Sequence, residues 1–229
     1  MNDFAFPVEI VRTDRTKSAS IHVERDVVKV RVPKKLSDDR IKELVGKRTA
    51  WINGKLREHA LRPVVKPKEY VSGETFSYLG RNYRLKVIRG SDTSLKMKSG
   101  YLWAMIHDKD ANPESTIRSL LQSWYQRNAR IRLSEKTERL ARIVGVNPSS
   151  ISIKDYKARW GSCSVNGDVA YNWRIIMAPH RIVDYVVIHE LCHLLEHNHS
   201  PRFWKQVQRH VTDWRECKEW LRTNNPSFD

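Results

Sequence analysis

Apolar and polar residues alternate in three short runs near the start of the chain, Val8 to Arg12, Ser18 to Val23 and Val27 to Val32, with charged residues between them. A period of two turns one side of each run toward a core, so the three predict a small antiparallel meander. The spacing then changes. Ser37, Asp38 and Asp39 form a helix start, after which Ile41, Leu44, Val45, Ile52 and Leu56 recur at helical intervals, with Lys42, Lys47 and Lys55 on the other face. Pro63 and Pro67 end that helix, because proline has no amide hydrogen for the backbone ladder. Phe76 to Ile88 and Leu95 to Ile106 then read as strands around Gly80, Gly90 and Gly100.

Asn112-Pro113-Glu114 combines a capping side chain, a proline suited to the first helical position and an acid near the positive end of the dipole. Ile117, Leu120, Leu121, Trp124, Ile131, Leu140 and Ile143 carry the helical period from there to Gly145. A second β region follows, from Ile151 to Ala158 and from Asp168 to Ile176, with Gly161 to Gly167 as the intervening loop. The pattern predicts an α+β protein: a β-rich N-terminal lobe over residues 1–112 and a second part over 113–229. No internal repeat is visible.

Pro179 opens a last long helix whose residues Ile182, Val183, Val186, Val187, Ile188, Leu191, Leu194 and Leu195 make it apolar nearly all round, and therefore buried. Within it stands His189-Glu190-Leu191-Cys192-His193. Residues four apart share a helix face, so this H-E-x-x-H pattern puts two imidazoles side by side with the carboxylate between them. Burying such groups is costly unless they are paired or hold a metal. A third donor is within reach: His199 follows His193 by six residues, the interval at which a turn can return a histidine to the same ion. Glu196 occupies the place where such turns often have glycine, which makes Asn198 the expected bend, since Asn tolerates the left-handed conformation. His197 is the rival. A straight helix bearing residues 189, 193 and 197 would spread its donors over about 12 Å, too far for one ion, so His199 is preferred.

Three neutral nitrogens leave one position of a tetrahedral zinc open for catalysis, although imidazole also suits other transition metals. Glu190 then has the place of a general base. Cys192 projects away from the histidine side and reads as a packing residue.

The chain of 229 residues is large enough for one substantial core or two smaller ones. Only three cysteines are present, which predicts free thiols and a reducing, cytoplasmic setting, and no signal peptide or membrane span is apparent. A net charge of +16 favours anionic partners and keeps nucleotides or nucleic acid in view, with the lysine face of the first helix as a possible contact. No phosphate-cradling glycine loop accompanies that charge.

Arg159-Trp160-Gly161-Ser162-Cys163-Ser164, Asp184 to His193, and Asn198-His199-Ser200-Pro201-Arg202-Phe203-Trp204 together resemble the YgjP-like metallopeptidases, a family similar to the SprT-like and WLM zincins. The resemblance implies a zincin-like core with its metal helix beside an antiparallel sheet, zinc on His189, His193 and His199, and Glu190 as the catalytic residue. It implies a peptide or protein substrate held near a strand at Asp168 to Ile175. Arg159, Tyr171 and Arg174 are candidates for stabilising an oxyanion. A nucleotide or phosphate-ester hydrolase built on the same activated water is the alternative, and a nucleic-acid-associated protease is another.

Overall fold

In a computed structural model of the protein, residues 4–14, 18–24, 27–61 and 67–224 are described. They form ten strands in three sheets, six α-helices and one 3₁₀ helix. The chain divides into two compact units, Met1–Lys66 and Pro67–Asp229.

In the first unit β1 (Val8–Thr13), β2 (Ser20–Val23) and β3 (Val28–Pro33) lie in the order β1-β3-β2. β3 runs parallel to β1 and antiparallel to β2, so the expected meander is not formed. The reason is burial. Val28, Val30 and Val32 are fully shielded, and the strand with the most apolar face takes the centre. The long helix expected after Ser37 is two helices, α1 (Asp38–Gly46) and α2 (Thr49–Leu61). Gly46 costs a helix interior about 1 kcal/mol relative to alanine, and the chain turns there through an Arg48 amide bonded to Val45 O at 2.9 Å. Helix α2 stops at Leu61, and Pro63 lies outside the described residues. Ile41, Val45 and Ile52 close this core over β3.

The second unit opens with β4 (Thr75–Tyr78), β5 (Arg81–Gly90), β6 (Ser94–Lys98) and β7 (Tyr101–His107), ordered β4-β5-β7-β6. Two-residue loops close its hairpins, Leu79-Gly80 and Ser99-Gly100, and all four residues have positive φ. That is the turn geometry whose twist matches paired strands. Helix α3 (Pro113–Val144) begins as its sequence predicts, with Asn112 Oδ1 accepting from the Ser115 amide, and ends on Gly145 at φ 80°. Its Ile117, Leu121 and Tyr125 share one core with Leu85, Leu102 and Ile106 of the sheet, and the Tyr125 hydroxyl donates to Ser77 O at 2.7 Å. The division expected near residue 112 therefore falls inside the second unit, because α3 completes the core of the strands before it.

The third sheet contains β8 (Ser150–Lys154), β9 (Gly161–Cys163) and β10 (Asp168–Asn172), ordered β8-β10-β9. It is mixed rather than antiparallel: β10 pairs with β9 antiparallel and with β8 parallel. β10 is central because Val169, Ala170, Tyr171 and Asn172 are all buried. Gly161 to Cys163, expected as loop, is the outer strand on one side. After Asn172 the chain turns into a 3₁₀ helix, Trp173–Met177, with the Asn172 side chain accepting from the Arg174 amide, where a continuing strand was expected. Helices α4 (His180–Cys192), α5 (Pro201–His210) and α6 (Trp214–Thr223) complete the unit. Lys136 of α3 pairs with Asp184 of α4 at 2.6 Å. Among the described residues no helix is long and apolar enough to cross a membrane.

Candidate active site

Helix α4 is buried from Ile182 onward except at Asp184 and His189, as its apolar composition requires, and Tyr185 and its last turn reach a cleft. It ends sooner than expected. His193 is already the capping residue, and the Leu194 and Leu195 amides bond three residues back, to Leu191 O and Cys192 O. These tight bonds turn the chain, so the bend lies at 193–196, and among the described residues Asn198 is not in the left-handed conformation. The turn delivers His199 just before α5, whose start is fixed by Ser200 Oγ accepting from the Phe203 amide and by Pro201 in the first turn.

His189, His193 and His199 meet as a result, with ligand atoms all within 4.8 Å of one another. His189 Nε2 and His199 Nε2 are 3.0 Å apart. His193 Nδ1 lies 3.2 Å from Glu196 O. A carbonyl only accepts, so Nδ1 carries the proton and Nε2 presents its lone pair. Packing fixes the ring planes: His193 stacks on Phe203 with centroids 4.5 Å apart, and His199 stacks on Trp204 at 5.6 Å. His189 Nδ1 is buried with no hydrogen-bond partner among the described residues, so that ring is oriented by Tyr185 and Phe203. Burial keeps all three imidazoles neutral. It pushes the His189 pKa down to about 3, with His193 and His199 adding to the effect, and it lowers those of His193 and His199. Three neutral nitrogen donors suit a borderline-soft divalent ion such as zinc.

Glu190 is 6% exposed and its carboxylate makes no hydrogen bond among the described residues. Burial raises its pKa to about 8, opposed by the charge of Arg159. It lies hard against β9: a Cβ built on Gly161 would stand 2.6 Å from Glu190 Oε1 and Cγ. Only a residue without a side chain lets the strand backbone approach the acid so closely.

The cleft around these groups has a volume of about 840 Å³. Arg159 and the residues of β9 border one side, and Trp204, Lys218 and Leu221 another. The bordering strand is therefore β9 rather than the stretch Asp168 to Ile175, which supplies the buried centre of the sheet. Among the oxyanion candidates Arg159 reaches the cleft, where the loop carrying it is held by Asn172, whose amide donates to Tyr156 O at 2.8 Å and Arg159 O at 3.2 Å. Tyr171 is buried and its hydroxyl bonds that of Thr137. Arg174 pairs with Asp155 and covers Trp173. His197 lines the cleft but is outside the three-histidine group. Cys192 packs in the core, where burial raises its thiol to about 12, whereas Cys163 lines the cleft.

Phe203 and Trp204 enter the sequence reading only through the family resemblance. Phe203 and Trp204 in fact form the aromatic wall behind the histidines, and α6 brings Lys218 to the mouth. The placement of Phe203-Trp204 directly after the His199-Ser200-Pro201 turn was the available signal. For Lys218 there was none.

A model of the YgjP-like metallopeptidase domain matches residues 17–224. By class, then, this is a metal-dependent peptidase. The chain belongs to the YgjP-like family. No curated protein matches it. Among solved structures it is similar to the metallopeptidase zymogen of Pyrococcus abyssi abylysin, at 20% identity and a TM-score of 0.37, over 42% of this chain and 97% of that one. It is also similar to the metallopeptidase zymogen of Methanocaldococcus jannaschii jannalysin, at 20% identity and a TM-score of 0.34, over 39% and 95% of the two chains.

Proposed function

We propose that His189, His193 and His199 hold one divalent ion, zinc by the chemistry of its donors, and that Glu190 is the general base of a zincin-type peptidase. The convergence of the three ligand atoms within 4.8 Å, on the helix turn that also carries Glu190, is the observation that supports this most directly. Bound there, the ion would supply Lewis acidity toward a carbonyl oxygen and toward water. Glu190 takes the proton of the attacking water at its carboxylate and passes it to the amide nitrogen that leaves. Its burial favours the first of these, because a carboxylate of raised proton affinity accepts readily. β9 is an outer strand, so an extended peptide can add to it by backbone pairing and lie across the acid that Gly161 admits. Arg159, beside that strand, is placed to meet negative charge developing on the substrate.

The test is a side-by-side screen of unfolded proteins, peptides and nucleoside triphosphates with the zinc-loaded protein. Peptide bonds are expected to be cut. Glu190→Gln is expected to lower the rate by about a thousandfold while the bound zinc stays at one per chain. Hydrolysis of triphosphates with no cleavage of any peptide would contradict the proposal.

A further inference from the structure

The cleft is lined by Arg159, Lys218 and Arg222 but by a single acid, Glu190. The three cations are not equivalent. Arg222 is held in a two-pronged pair by Glu219, at 2.8 Å and 2.5 Å, so its charge is largely matched. Lys218 and Arg159 form no ion pair among the described residues, and both are exposed. Lys218 is nevertheless not adrift. Its ammonium stands over the Trp204 ring, 4.6 Å from the centroid, and Trp204 is itself stacked on Trp214 at 4.2 Å. A cation–π contact holds the charge in place while leaving its hydrogen-bond donors free, which a carboxylate partner would not do. Trp204 also stacks on His199, so the chain His199–Trp204–Lys218 runs from the histidine cluster to the cation through direct contacts.

We propose that Lys218, seated on Trp204, is a specificity-determining residue that selects substrates carrying a carboxylate close to the bond being cut. This deepens the peptidase reading and rests on it. A bound peptide that brings an acidic group to Lys218 gains an ion pair at the cleft mouth, and Arg159 on the strand side favours acid over base as well. A peptide with lysine or arginine there meets two unmatched cations and the ion. The carboxylate has two sources, an Asp or Glu side chain or the free C-terminus of a short peptide.

Binding separates this inference from the catalytic one. Fluorescent peptides of one neutral sequence would be titrated into the chelator-treated full-length protein and read by anisotropy, in four forms. These are amidated with a glutamate, amidated with a lysine, amidated and neutral, and neutral with a free C-terminus. The glutamate peptide or the free-terminus peptide is expected to bind about tenfold more tightly than the lysine peptide, and which of the two gains identifies the source. Lys218→Glu is expected to reverse the order, and Lys218→Arg to restore it. The preference should shrink as salt rises. Equal affinities within twofold across all four peptides, or an acid preference unchanged in Lys218→Glu, would overturn the inference even if peptide cleavage is found. Retained acid preference in a protein that cleaves no peptide would instead overturn the catalytic reading and leave Lys218 its role.

Discussion

Among the described residues, those buried in the first unit are all apolar, from Phe6 and the valines of β3 to Ile52, with only the Ser20 hydroxyl shielded beside them, whereas the second unit also buries Thr137, Asn172 and Glu190. The difference lies in how those polar groups are satisfied. Thr137 donates to Leu133 O at 2.6 Å and contacts the Tyr171 hydroxyl, and Asn172 bonds the loop that carries Arg159. Both are internal fastenings. The Glu190 carboxylate has no such partner among the described residues and lines the cleft instead. The first core is held by apolar packing, whereas the second also leads a carboxylate to the wall of the cleft that the three imidazoles line.

That contrast can be broken at Gly161. Gly161→Ala is expected to push the Glu190 carboxylate aside and lower kcat by about a hundredfold, because an error near 1 Å at a reacting group has that order of effect. KM and zinc content should change little. A variant that cleaves at the wild-type rate would mean that the acid's position against β9 is immaterial.

In the other direction, Val30→Ala removes two methyl groups from the centre of the first core and is expected to cost about 2 kcal/mol in chemical denaturation. Zinc stoichiometry should be unaffected, since no member of the histidine group belongs to that cluster. Loss of the ion at a denaturant concentration where Val30→Ala is still folded would blur the comparison.

The smallest effect sharpens it at the surface. Arg174 holds the Asp155 carboxyl below the usual carboxylate range, chiefly through their hydrogen bond. A depressed folded pKa contributes stability that is complete above the unfolded value, about 4, and is lost as pH falls through the folded one. Asp155 is half exposed, so Asp155→Asn should cost less than about 1 kcal/mol at pH 7 and nothing at the acid end of a denaturation series. A cost that grows on acidification would have the wrong sign.

Some parts of this molecule were legible from the chain and others were not, for reasons of range. The ends of α3 follow from Asn112, Pro113 and Gly145, each acting on its own neighbours, and the two imidazoles of α4 follow from helix geometry. His199 was reached by spacing. What spacing could not supply was strand order, because it depends on which strand buries most, and this put β3 and β10 at the centres of their sheets. Gly161 to Cys163 looked like loop since three residues carry too little alternation to declare a strand. The early end of α4 depends on amides of Leu194 and Leu195 bonding three residues back, a choice set by packing against α5. Lys218 enters the cleft from a helix 25 residues further along the chain than His193, and nothing local to either marks their meeting.

The most direct test of the site is calorimetric titration of zinc into chelator-treated protein, with His199→Ala and His197→Ala alongside the wild type. His199 is exposed, so its removal leaves the core intact. One zinc per chain is expected for wild type and for His197→Ala, with affinity reduced about a hundredfold or more in His199→Ala. Undiminished affinity in His199→Ala, or loss in His197→Ala instead, would contradict the convergence of the three imidazoles on one ion.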